Sequence, residues 1–319
     1  MNPILTANSP CANASEGFEN GPKTPPPPEG VEQPGVEQAG VEPVLVAQEG
    51  REPEGVEPNL LEQEVGEPEE VEVLGLRLAR MGFAQTVDRV EWLIRRGKPS
   101  FFITANLHYA RLCEREARLG AVNRKAAFLT ADGMPLVWLS RLLGRPLPER
   151  VTGADLVWAL AERAAQRGWR LFLLGGGPGV AEQAATVLQA RYPGLQVVGV
   201  EAPVLEALSP AEHAQLLERI RQARPDLLFV ALGQPKGELW LAEHIEVMGV
   251  PAAVQIGAAL DFVAGRCRRA PGWMRRIGLE WFWRLVCEPA RLGRRYFADG
   301  LFLLRRTSQA IWTGKKPLQ

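Results

Sequence analysis

The chain has 319 residues, 46% of them hydrophobic, enough to bury one substantial core in one or two domains. Its 37 basic and 37 acidic residues cancel only in total: residues 1–72 hold sixteen Glu against one Lys and one Arg, so the remainder carries +14 and an acidic arm precedes a basic body. Four cysteines (Cys11, Cys113, Cys267 and Cys287) without a CxxC pair or a neighbouring His argue against a zinc site and for a reducing, cytosolic compartment. With no basic segment leading into an apolar stretch and no run of about 18 apolar residues, neither a signal peptide nor a membrane-spanning helix is expected.

Residues 1–72 are expected to lack a fold. The stretch "TPPPPEGVEQPGVEQAGVEPV" belongs to a region repeating Gly-Val-Glu at positions 30, 35, 40 and 55. Such a composition buries too little apolar surface to offset the entropy of ordering it. From Val73 onward short apolar runs alternate with helical periodicity. "SFFIT" (100–104), "AAFLT" (126–130), "WRLFLLGG" (169–176), "LQVVGVEA" (195–202), "DLLFVALG" (226–233) and "AAVQIG" (252–257) read as buried strands. "GADLVWALAERAAQRG", "GVAEQAATVLQARY" and "SPAEHAQLLERIRQARP" read as the clearest helices, the last capped by Ser209 with Pro210 in its first turn. Apolar strands separated by helices predict a doubly wound α/β domain over 73–265, a mostly parallel sheet with helices on both faces.

Ligands of such a domain gather at the carboxyl ends of the strands. There the sequence places Thr104 and Asn106, then Asp132 and Gly133, then "GGGPG" beginning with Gly175, Gly176 and Gly177, then Gln234 in "GQPKGE", and finally Asp261 in "GAALD". The glycine turn opens a helix, so its backbone N–H groups can hold a diphosphate, but a plain tight turn explains it as well. Asp132 stands where a carboxylate can take a proton from a hydroxyl, and equally where one caps the helix of "GMPLVW". His108, His213 and His244 are scattered and read as surface or core residues. No DxD pair occurs to hold a metal on a nucleotide diphosphate, so no metal or other cofactor is expected.

The segment 266–319 is basic and helical in pattern, with thirteen basic and three acidic residues. Pro289 cannot continue a helix begun near Trp273, so it is expected to open a second one, with Arg291, Arg294 and Arg295 on one face. Arginines suit phosphate oxygens and tryptophans suit a headgroup boundary, which points to a membrane surface; the rival is a solvated helix packed on the domain.

"TAN", "ADGMPLV", "RVTGADLV", "LFLLGGGPGVAE", "PDLLFVALGQPKGELW", "GAALDFVAG" and "RRAPGWMRRIGLEWFWRLVCEPARLGRRY" together resemble, in order, the blocks of the WecG/TagA/CpsF bacterial glycosyltransferases. The resemblance implies an inverting, metal-independent transfer of a sugar, of the N-acetylmannosamine type, from a UDP-sugar to an undecaprenyl-diphosphate-linked acceptor at the inner face of the cytoplasmic membrane. It implies Asp132 as general base, Thr104 as support of the acceptor pocket, and Arg284, Arg291 and Arg294 as contacts of the diphosphate. One block departs, since Gly237 stands where the family usually has Gln, and Gln234 is a neighbour able to replace it. Nucleic acid is not among the expected partners, and a homo-oligomer stays compatible with the sequence. The alternative is a non-catalytic nucleotide-binding scaffold or regulator docked by its basic tail; a dinucleotide-dependent oxidoreductase is disfavoured by the missing GxGxxG.

Overall fold

A computed structural model describes residues 66–313, with side chains to residue 308. The expected unstructured arm falls mostly on residues outside that range. Its boundary, however, moves: Glu70–Val73 (β1) pairs antiparallel with Leu76–Ala79 (β2). The two-residue turn between them has Leu74 and Gly75 both at positive φ, 54° and 78°, the twist that suits a tight hairpin. Val71, Val73, Leu76 and Leu78 alternate inward onto the core, so the last Glu-rich residues are anchored by a period-two pattern.

The six expected strands form one parallel sheet. They are Phe101–Ala105 (β3), Leu129–Ala131 (β4), Arg170–Gly175 (β5), Gln196–Glu201 (β6), Leu227–Ala231 (β7) and Ala252–Gln255 (β8), in the order β4-β3-β8-β7-β5-β6. Alternate residues feed opposite layers. Phe101, Ile103, Phe172, Leu228 and Val230 enter one apolar cluster; Phe102, Leu171, Leu173, Leu227 and Phe229 enter the other. Both faces are therefore buried, which is why these strands read as continuous apolar runs.

Phe83–Arg96 (α1), Gly153–Arg167 (α5) and Val180–Arg191 (α6) cover one face. Leu107–Arg115 (α2), Arg118–Lys125 (α3), Met134–Leu142 (α4), Pro210–Ala223 (α7) and Lys236–Met248 (α8) cover the other. Ser209 caps α7 as expected, accepting from Glu212 N at 3.3 Å. Since α6 leads away from β5 toward β6 while α8 leads from β7 toward β8, the chain reverses direction between neighbouring β5 and β7, and a crevice opens at their carboxyl ends.

After the short helix Ala259–Val263 (α9), the C-terminal segment is helical, but not as one helix up to Pro289. It breaks into Gly272–Arg276 (α10) and Glu280–Cys287 (α11) before Pro289–Thr313 (α12). Gly278 makes the break, at φ 80°, where a Cβ would stand 2.5 Å from the Met134 side chain. Only a residue without a side chain lets the chain pass this close to α4. Pro289 does open the last helix.

Candidate active site

The crevice is a cavity of about 690 Å³ lined from the ends of β3, β4, β5, β7 and β8 and roofed by α11 and α12. Of the residues singled out in the sequence, Thr104, Asn106, Asp132, Gly133, Gly176, Gly177, Gln234, Asp261, Arg284 and Arg291 line it. Two do not. Gly175 lies below the cleft, where β5 and β7 approach so closely that a Cβ would stand 2.7 Å from Ala231 O; its glycine is demanded by the sheet. Arg294 is exposed and off the cleft, and Arg295 takes its place. At 3.6 residues per turn Arg291 and Arg295 share one face of α12, and Arg294 is turned away.

Asp132 is not a helix cap, because Gly133 occupies the N-cap position of α4. Its backbone N donates to Ala105 O at 2.7 Å, and its Oδ2 accepts from Gly153 N, in the first turn of α5, at 3.3 Å. The carboxylate thus sits at a helix N-terminus, where positive dipole ends favour its charge. Burial is the larger influence and pushes its pKa up to about 6, against the pull of Gly153 N–H and Arg150. A base poised there is ionised at neutral pH yet still basic enough to accept a proton.

Around it stand Thr104, whose buried Oγ1 donates to Gln255 O at 3.3 Å, and Gln234, whose Nε2 donates to Thr104 O at 3.4 Å. Asn106 caps α2, its Oδ1 accepting from Tyr109 N at 3.0 Å, so half of its amide is committed to structure. In the glycine turn, Gly176 N is likewise spent on Ala231 O at 3.0 Å, which removes one N–H from any phosphate site there. Burial pushes the Asp261 carboxyl up, with Arg291 and Arg284 opposing.

The sequence reading missed Arg150, Glu280, Tyr296, Asp299 and His108, all of which line the cleft. Arg150 donates to Glu280 at 2.9 Å; Arg269 reaches Glu280 at 3.2 Å and Asp155 at 2.6 Å, joining the appendage to the start of α5. No local signal marks Arg150, Glu280 or Asp299, since Arg150 and Glu280 lie 130 residues apart and Asp299 lies 191 and 188 residues from His108 and Arg111. The appendage packs over the cleft, tied to the core by these pairs.

At Gly237 the geometry shows what its bare backbone permits. The Gln255 side chain lies directly against it, with Cδ 2.6 Å from where a Cβ would be, and Gln255 Oε1 accepts from Leu232 N at 3.4 Å. The amide that fills this corner is that of Gln255, from the neighbouring strand. Beside it Glu238 is buried, neither carboxylate oxygen meeting a well-aligned donor, and burial pushes its pKa up to about 7, its own backbone N–H and then the Gln234 amide only partly opposing. Among the described residues no three His, Cys, Asp or Glu side chains stand together as a metal-binding group.

A carboxylate at the carboxyl edge of a doubly wound sheet, faced by an arginine-bearing appendage, is here carried by a chain whose residues 71–317 match the WecG/TagA/CpsF glycosyl transferase family; the chain belongs to that family and is a glycosyltransferase. It is 30% identical over 223 residues, 68% of this chain and 85% of the relative, to the N-acetylglucosaminyldiphosphoundecaprenol N-acetyl-beta-D-mannosaminyltransferase of Bacillus spizizenii. To the enzyme of the same name from Bacillus subtilis it is 30% identical over 167 residues, 52% of this chain and 63% of the relative. To that of Staphylococcus aureus it is 28% identical over 228 residues, 70% and 87%. The scaffold alternative falls with this membership.

Proposed function

We propose that the enzyme moves a sugar of the N-acetylmannosamine type from a UDP-sugar to a hydroxyl of an undecaprenyl-diphosphate-linked acceptor sugar, inverting the anomeric centre, in the synthesis of a cell-surface polymer. The observation that carries this reading is the opposition of Asp132 to Arg284, Arg291 and Arg295 across one cavity. A base on one wall and fixed cations on the other are what an attacking hydroxyl and a departing diphosphate require. The relatives' names supply the acceptor and the transferred sugar.

Asp132 takes the hydroxyl proton as the oxygen bonds to the anomeric carbon, and the bond to UDP breaks on the opposite side. Arginines and Arg150 stabilise the charge on the leaving diphosphate without a metal. Trp273, Ile277, Phe282, Val286, Phe297, Leu301 and Leu304 are exposed on the appendage, whose surrounding arginines suit anionic headgroups. Among the described residues no helix is long and apolar enough to cross a membrane. The enzyme docks peripherally on the inner face of the cytoplasmic membrane by this surface.

The deciding experiment incubates the full chain with a panel of UDP-sugars and a short-chain lipid-diphosphate acceptor, with and without EDTA. Transfer from UDP-N-acetylmannosamine, unchanged by EDTA, is expected. Abolition by EDTA would refute the metal-free step, and no UDP release with any donor would refute the assignment of substrates.

A further inference from the structure

We propose that Asp299 is the positioning residue of the arginine clamp: it fastens the last helix across the cleft, through Arg111 and His108, before any substrate anion arrives. The inference rests on the glycosyltransferase reading above and adds the group that holds its anion-binding side chains in place.

Asp299 is the sole acidic residue of α12, yet it is only 4% exposed. Arg111 Nε donates to its Oδ1 at 2.5 Å, and His108 Nδ1 lies 3.1 Å from the same oxygen. Both partners belong to α2, which begins directly after the cleft residue Asn106. Burial raises the Asp299 carboxyl, but hydrogen bonds from His108 and Arg111 outweigh it and hold the group below the usual range, so it is charged where it sits. Glu114, farther along α2, pairs with Arg305 and lies 3.9 Å from Arg306, and Phe302 is buried between. The contact is thus a built seam between core and appendage.

The seam answers a specific difficulty. Arg284 and Arg295 converge on one cavity with Arg150, which pairs with Glu280, and Arg291, which pairs with Glu288; the repulsion left among these four cations opposes closing the appendage over it when no anion is bound. Burial lowers the Arg295 pKa, Tyr296 and Asp299 oppose it, and the charges of Arg284 and Arg291 add smaller lowering contributions. Arg295 and Arg291 lie four and eight residues before Asp299 on the same helix, so the turn that Asp299 pins against α2 sets where both guanidinium groups point. Arg295 Nε stands 3.8 Å from Asp299 Oδ2, which gives the clamp one negative charge from within the chain. Other charged pairs of the appendage, such as Arg269 with Asp155, fix its start and leave α12 to this seam.

The test uses the full chain and the variants Asp299→Asn, Asp299→Glu, and the charge exchange Asp299→Arg with Arg111→Asp. Amide hydrogen exchange over residues 289–308 should speed up by about a hundredfold in Asp299→Asn, the scale for a buried charge pair deprived of one partner, while β5 and β7 keep their protection. Inorganic pyrophosphate, an anion for the arginines, should restore protection of the helix in that variant. With a water-soluble diphosphate acceptor the same variant should show kcat about tenfold lower or more and a raised donor KM, with the acceptor KM little changed. Asp299→Glu and the charge exchange should each recover part of both effects. Unaltered exchange in Asp299→Asn, or protection lost equally through the sheet, would overturn the proposal. Exchange is read without turnover, so failure of every UDP-sugar to react would sink the substrate assignment and leave the latch to be judged on its own data.

Discussion

Replacing Glu238 by Gln should stabilise the protein at neutral and alkaline pH, although it removes a charge from the first turn of a helix. In the folded chain the carboxyl is 1% exposed and neither oxygen meets a well-aligned donor, so its own backbone N–H and the Gln234 amide offset burial only in part. Burial moves its pKa from the ordinary 4.5 to about 7. Below about 4.5 the group is protonated in both folded and unfolded chains, and its ionisation costs nothing. Between 4.5 and 7 the unfolded chain releases the proton while the folded chain keeps it, so the unfolded state gains and stability falls with rising pH. Above 7 the loss is complete and levels off. A pKa of about 7 against the ordinary 4.5 corresponds to roughly 3 kcal/mol. The neighbouring Tyr109 phenol and Cys113 thiol respond to the same charge, which helps to disfavour their ionised forms. Urea unfolding of both proteins at pH 5, 6, 7 and 8 reads the effect: the variant should gain on the wild type across this range and hold a constant advantage above it. Asp132 also titrates upward-shifted in the fold, but it is present in both proteins and cancels in the difference. A variant less stable than the wild type at pH 8 would show that the charged carboxylate has a partner and that the reasoning is wrong.

Asp132→Asn should retain the fold and donor binding while lowering the transfer rate by about a hundredfold or more, and the wild-type rate should be lost as pH falls through about 6, where the proton occupies the base. Stopped assays of both proteins from pH 5 to 8 check this; near-normal turnover in the variant removes Asp132 from the chemistry. Arg295→Ala should cost about a hundredfold in transfer to a soluble diphosphate acceptor, and Arg294→Ala almost nothing, because only the first lines the cavity. Equal losses would mean that α12 turns differently in the working enzyme. Gly237→Ala places a Cβ 2.6 Å from Gln255 Cδ and should destabilise by about 1–3 kcal/mol, seen as a lower melting temperature. An unchanged melting temperature would mean that Gln255 swings aside freely.

Much of this molecule is written in local pattern. Runs such as "LFLLGG" and "LLFVALG" are apolar at every position because both faces of a parallel strand are covered, so six strands and their helices were legible before any coordinates. The cleft residues Thr104, Asp132, Gln234 and Asp261 were legible for the same reason: each stands at or just beyond the end of a strand, and strand ends are where this architecture binds ligands. The hairpin of Glu70–Ala79 also had a signal, the alternation of "VEVLGLRLA" around a Leu-Gly turn, hidden by the Glu-rich composition that precedes it.

Other features were decided by tertiary structure. Which strands neighbour one another, and hence that Gln255 fills the room left at Gly237, depends on pairings between distant segments. Gly278 could be read as a break only once Met134 and Trp138 were known to press against it. The choice of Arg295 over Arg294 follows from the rotation of α12 about its axis, set by Asp299 against Arg111, 188 residues apart in the chain. Glycine spacing and apolar runs express constraints within one strand or one turn and so survive in sequence; the aim of an arginine on a docked helix is fixed by its contacts with another part of the chain, and only the folded chain brings those together.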